Sequence, residues 1–267
     1  MTSTTAASQA PGKLVLAVNS TVAFVGAFTL TTFVHELGHF VSYLAFGAHP
    51  VLYFNQVQAD DSTVSLTGVI VSALAGPVAS LVQGILCAWW VRARSRNRRV
   101  DLFVQWLALF GFINFFGYLM LTPLSSVGDT GKVAGLLGFP AWLSVLIALA
   151  GIAVVIVIVI RQDRYFGGFL HGEAGSGERA RWINALVYFP VLAGSGVNVA
   201  FAFPISTAIS AIYPATSSLT VLVGYAAMRK LPRSGLPVSP ASESISYAWI
   251  AVTVALLVIN RLLVRGV

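Results

Sequence analysis

Seven stretches of this chain, each about twenty residues or longer, carry at most one Asp, Glu, Lys or Arg apiece. They run from Leu14 to about Phe46, Val69 to Val91, Val100 to Thr122, Phe139 to Ile160, Trp182 to Phe203, Ile205 to Met228 and Ile245 to Val264. A helix of about 20 apolar residues spans the hydrocarbon of a bilayer. Only 9% of the 267 residues are charged, where a soluble domain carries about a quarter. The expected fold is therefore an all-α polytopic membrane protein with seven transmembrane helices. The count falls to six if the sixth stretch, Ser/Thr-rich and broken by Pro214, is kinked or re-entrant. Residues 1–13 read as a polar tail. The apolar run after them continues into His35 and Glu36, which predicts a retained helix rather than a cleaved signal.

The net charge of +7 is gathered between the spans, at Arg92 to Arg99, Arg161 and Arg164, Arg179 and Arg181, and Arg229 to Arg233. Counting spans puts all four clusters on the side of the N-terminus, and the positive-inside rule makes that side cytoplasmic. No aromatic residues interleave with them as in a nucleic-acid surface, so they read as topology anchors. Trp89, Trp90, Trp142 and Trp182 stand near span ends, where amphipathic rings settle at the interface. The GDTGK segment at 128–132 lacks the first Gly and the final Ser/Thr of a phosphate loop, so no nucleotide is expected. The single Cys87 excludes an internal disulfide and a cysteine-based zinc site. Residues 50–67, with β-branched and aromatic side chains and Asp60-Asp61-Ser62 at an expected turn, predict a β-hairpin after the first helix. Residues 122–138, rich in Gly and Pro, read as irregular backbone.

Residues 35–39 read HELGH. Two histidines four apart on a helix share a face and can grip one zinc ion, and Glu36 is placed to take a proton from water at the metal. Ionisable groups within a membrane helix cost several kcal/mol unless they have a partner or a task. The plain alternative is a buried polar cluster that bonds neighbouring helices.

With these residues the chain resembles the site-2 protease family of intramembrane zinc metalloproteases. FVHELGHFVSYLAFGA is similar to that family's first core helix, and the hairpin followed by LAGPVASLVQG, with Gly76, Pro77 and Ser80, is similar to its hairpin and second core helix. The resemblance covers residues 20 to 138 and is strongest at HELGH. It implies a third core element built from an Asn, a Pro and a metal-binding Asp followed by Gly, matched here by Asn114, Pro123 and Asp129. It further implies zinc as cofactor, Glu36 as general base, Asn114 as a substrate contact, and a membrane protein or peptide as substrate. The chain departs from the family in two ways. Asn114 and Asp129 are fifteen residues apart, wider than the usual motif. The arginine clusters also put the HELGH end of its helix away from the cytoplasm, whereas the family places it toward the cytoplasm.

Catalytic zinc takes three protein ligands and keeps a position open. Asp101 abuts an arginine cluster across a span. Asp163, Glu173, Glu178 and Glu243 fall in polar segments, and Asp60 and Asp61 read as turn residues. His49 and His171 read as loop histidines. Asp129 remains, with an Asp in a Gly-flanked turn or helix cap as its plain alternative. The expected organisation is a tail (1–13), a metalloprotease-like core (14–138) and membrane helices without assigned chemistry (139–267). A non-catalytic pseudoprotease or a transporter is the competing reading, though no internal repeat of the transporter kind is present. A zinc protease with its catalytic domain outside the bilayer would need a Glu ligand, for which no later Glu is suitably placed. Arginine outnumbers lysine thirteen to three, the bias of a high-GC bacterial genome, and this points to the bacterial cell membrane.

Overall fold

A computed structural model describes residues 12–94, 98–124, 128–203, 216–231 and 240–267. Most of the polar tail, Arg96, Arg233 and residues 204–215 with Pro214 lie outside the described residues. The helices are α1 (Gly12–Ala45), α2 (Leu66–Arg94), α3 (Arg99–Leu121), α4 (Asp129–Leu136) and α5 (Ala141–Phe166). They are followed by α6 (Gly177–Phe201, including a π-helical turn at Asn184–Tyr188), α7 (Tyr225–Lys230) and α8 (Tyr247–Leu262). Two strands, β1 (Val51–Leu52) and β2 (Val57–Gln58), form an antiparallel hairpin. The chain is an all-α polytopic membrane protein with this one small hairpin.

Six helices are long and apolar enough to cross a membrane among the described residues: α1, α2, α3, α5, α6 and α8. The sixth predicted span, Ile205 to Met228, falls partly on residues 205–215, outside the described ones. Its described part, residues 216–228, is helical, with a 3-10 turn at Val221–Gly224 leading into α7.

α1 is the central helix and packs against α2, α3, α6 and α8. At 34 residues it is about 50 Å long, well beyond the ~30 Å of hydrocarbon. Its middle is locked to α3 by aromatic rings. Phe24 meets Trp106 and Phe110 edge-on at centroid distances of 5.0 and 4.9 Å, and Phe28 meets Phe110 at 5.4 Å. Such edge-to-face pairs add about 0.5–1.5 kcal/mol beyond burial. In its last turns, α1 meets α2 so closely that a Cβ on Gly38 would lie 2.6 Å from the Ala75 carbonyl oxygen. Close helix approach at small residues is the usual packing device within a membrane.

Gly47, with φ +81°, ends α1 in a left-handed turn. The N–H groups of Ala48 and Gly47 return to the carbonyls of Tyr43 and Leu44, a glycine-terminated helix cap. The chain leaves directly into the hairpin, whose turn differs from expectation. It lies at residues 53–56, where the Tyr53 N–H donates to the Gln56 carbonyl at 2.9 Å. Asp60 instead accepts from the backbone N–H of Ser62 and starts a short 3-10 turn, Asp61–Thr63, that leads into α2. An Asx side chain bonding two residues ahead competes successfully with a hairpin turn here. The 122–138 segment also differs from the irregular backbone expected of it, because α4 forms within it. Asp129 opens that helix behind the N-cap Gly128, and a carboxylate at a helix N-terminus is electrostatically favoured.

Candidate metal centre

His35 and His39 lie one turn apart near the end of α1 and point toward the N-terminus of α4. Their Nε2 atoms are 3.0 Å apart, and Asp129 Oδ2 lies 3.0 Å from the first and 3.3 Å from the second. These edges are close to the about 3.3 Å between ligands on a tetrahedron with bonds of 2.0–2.1 Å. His35, His39 and Asp129 form a cluster that could hold a metal ion.

The outer partners of the rings determine which atoms face inward. His39 Nδ1 lies 2.7 Å from the Ser72 carbonyl oxygen. A carbonyl only accepts, so Nδ1 carries the proton and a neutral His39 presents a bare lone pair at Nε2. His35 Nδ1 faces Ser80 Oγ at 3.4 Å, and that hydroxyl also reaches the Gly76 carbonyl at 3.3 Å. Tyr118 stacks on His35 with ring centroids 4.8 Å apart. Three lone-pair atoms thus converge, and only a cation among them, proton or metal, makes the arrangement favourable. Burial alone would raise the Asp129 carboxyl. The charge of His39 and the hydrogen bonds of both imidazoles outweigh it and hold the carboxyl below the ordinary range.

Gly76 makes this approach possible. A Cβ there would stand 2.2 Å from His39 Nε2, so no larger residue fits beside the ring in its present position. The Gly-Pro pair of α2 therefore has a steric role at the site itself.

Asp129 is positioned by contacts that sequence reading passed over. Lys132, one turn further along α4, lies 2.6 Å from Asp61 Oδ2 and donates to the Tyr43 hydroxyl at 3.3 Å, while Tyr43 donates to Asp61 Oδ1 at 2.8 Å. These three residues tie α4 to α1 and to the turn before α2. Burial lowers the Lys132 pKa, but the hydrogen bonds and charges of Asp61 and Tyr43 together outweigh it and leave the ammonium above its usual value. On the other side, Thr130 donates to the Tyr118 carbonyl at 2.6 Å and accepts from Thr122 at 2.9 Å. Asp61, expected as a plain turn residue, is thus an anchor for the helix that carries Asp129. The available signal was the i, i+3 spacing of Asp129 and Lys132, which puts both on one face of a helix.

A cavity of ≈ 290 Å³ adjoins the three donors. Glu36 lines it and is 5% exposed. Asn114 also lines it, fully within α3, and its Oδ1 has no hydrogen-bond partner among the described residues. Pro123 is exposed just past the end of α3 and does not line the cavity. Thr31 and Thr32 bond back to the Ala27 and Phe28 carbonyls of their own helix, and Ser42 meets Ser72 across to α2 at 3.0 Å. The hairpin supplies one wall. Leu52 exchanges backbone hydrogen bonds of 2.8 and 3.1 Å with Val267, so the outer edge of β1 is taken. Leu52 sits opposite Val57, and the alternation of an antiparallel pair then turns the N–H and C=O of Val57 toward the outer edge of β2. Val57 lines the cavity.

Helices beyond residue 138 complete the enclosure through Asn198 and Phe201 of α6 and Asn260 of α8. Arg261 fastens these two helices together, its guanidinium donating to the carbonyls of Ala200 and Phe203. Nothing in the sequence marked these residues, because each lies in a long apolar run remote from HELGH. Comparison of the chain with protein-family models, with curated proteins and with solved structures finds no match.

Proposed function

We propose that this protein is a zinc-dependent endopeptidase that hydrolyses peptide bonds of membrane-embedded substrates. The observation that carries the reading is the convergence of His35 Nε2, His39 Nε2 and Asp129 Oδ2 at 3.0–3.3 Å on a cavity that Glu36 also lines. Two imidazoles and one carboxylate are a ligand set that zinc accepts while keeping a position open. The cation, when bound, supplies Lewis acidity toward water and toward the scissile carbonyl.

The protein's own side chains supply the rest. Glu36 takes a proton from the attacking water and returns it to the leaving amine. Ser72 and Ser80 fix the two imidazoles, and the Lys132–Asp61–Tyr43 contacts hold Asp129 against them. A helical substrate hides its amides in its own hydrogen bonds, so the segment to be cut must unwind. The edge of β2 at Val57 offers that segment a strand to pair with, inside a walled space where unpaired backbone would otherwise be costly. The excess of arginine over lysine, thirteen to three, agrees with a bacterial cell membrane as its setting.

The test pairs Glu36→Gln with metal analysis. The expected result is one zinc per chain in both wild type and variant, with cleavage of co-reconstituted membrane peptides lost in the variant. Undiminished cleavage by Glu36→Gln would overturn the assignment of the base. A wild type that holds zinc removable by His39→Ala but cuts nothing would leave a non-catalytic zinc-binding protein.

A further inference from the structure

Asn198 is 5% exposed within the apolar helix α6, and its Nδ2 is buried without a hydrogen-bond partner among the described residues. The Oδ1 atom of Asn260, on α8, is in the same condition. Both side chains line the cavity that holds His35, His39 and Asp129. An unsatisfied buried polar group costs about 1–3 kcal/mol, and native proteins leave few of them.

A buried Asn that merely bridges helices looks different in this same protein. Asn19, 6% exposed in α1, donates to the Ala241 and Ser244 carbonyls at 2.7 and 2.9 Å and accepts from the Ser246 N–H at 2.9 Å. Its hydrogen-bonding capacity is used. Asn198 and Asn260 are held in register by Arg261, yet among the described residues the Nδ2 of one and the Oδ1 of the other have no hydrogen-bond partner. Together they place one unsatisfied donor and one unsatisfied acceptor among the residues that wall the cavity. A half-turn of both amides together exchanges their roles and still leaves one of each. One donor and one acceptor are what a single peptide unit, with its C=O and N–H, requires.

Resting on the zinc-peptidase reading, we infer that Asn198 and Asn260 hold the main chain of the unwound substrate beside the scissile bond. They are positioning residues, and they give the helices after residue 138 a task in substrate binding. Because the contact is to main chain, it is indifferent to the side chains of the substrate.

The experiment uses the zinc-loaded full chain in nanodiscs and two probes: acetohydroxamate, which reaches only the metal, and an apolar dipeptide hydroxamate, which also presents a main chain. In Asn198→Ala and in Asn260→Ala, the dipeptide probe should bind about three- to tenfold more weakly, the loss of one buried hydrogen bond. Zinc content and acetohydroxamate affinity should stay at wild-type values. A wild-type protein with zinc whose dipeptide affinity is unchanged in both variants overturns this proposal and leaves the zinc-peptidase reading standing. Equal weakening of both probes also overturns it, since the amides would then be supporting the metal site. A wild type without zinc overturns the peptidase reading and this inference with it. Should the alanine variants fail to fold, an N-methylated dipeptide probe takes their place with wild type and Asn260→Ser. Methylation should weaken binding to wild type about three- to tenfold and add nothing in Asn260→Ser, whereas equal losses in both would refute the contact.

Discussion

In a Gly76→Ala variant the new Cβ would stand 2.2 Å from His39 Nε2 and 2.6 Å from the two ring carbons beside it. Ordinary contact begins near 3.4 Å, so the ring or the helix must give way by about 1.2 Å. Metal–ligand distances tolerate about ±0.2 Å. His39 can yield only by withdrawing its Nε2 from the cluster, and a shift of α2 instead would strain the 2.7 Å contact between His39 and the Ser72 carbonyl. Changes in outer partners alone lower metal affinity about 10–100-fold, so displacement of a ligand should cost at least about 100-fold, or about 2.7 kcal/mol. Chelator competition with purified protein measures this directly, with zinc per chain as a second readout. Gly117→Ala in α3 is the control, because a Cβ at that position meets nothing within 4 Å. It should bind zinc as the wild type does and gain slightly in helix stability. If Gly76→Ala binds zinc within about threefold of wild type, the argument that this glycine makes room for the ligand is wrong.

Other outcomes follow from the same geometry. Lys132→Met should lower zinc affinity about tenfold by freeing α4, and Asp61→Asn should do likewise. The double variant should lose little more than either, since both act through one contact, and full additivity in chelator competition would separate them. Asp129 has a depressed pKa, so its contribution is present above the ordinary carboxylate value, about 3.9, and is lost only as pH falls through its lower folded value. An Asp129→Asn variant should therefore bind zinc more weakly than wild type down to about pH 4, and convergence of the two well above that pH would contradict this order. Ser80→Ala should lower zinc affinity less than Lys132→Met, because the Ser80–His35 contact is long at 3.4 Å.

Part of this protein was legible before any coordinates. The spans are written in runs of apolar residues that must hide their backbone from lipid, and that rule acts locally on each segment. The His35–His39 pair was legible for the same local reason, since four residues make about one helical turn. The sixth stretch falls partly on residues 205–215, outside the described ones, and its described remainder is helical. The hairpin turn was misplaced because Asp60 could serve either a hairpin or a helix entry, and only the start of α2 decided between them.

Asp129 lies ninety residues from His39, and residue order says nothing about a separation in space of 3.3 Å. The packing of α1 against α2 and α3, the anchoring of α4 by Lys132 and Thr130, and the space left at Gly76 bring the two together. The same holds for Asn198 and Asn260, which lie in apolar runs remote from HELGH. Local chemistry therefore determined the membrane helices and the ligand pair on one of them. Completion of the triangle and the walls around it depended on which helices touch, because that choice is made by side-chain fit summed over the whole bundle.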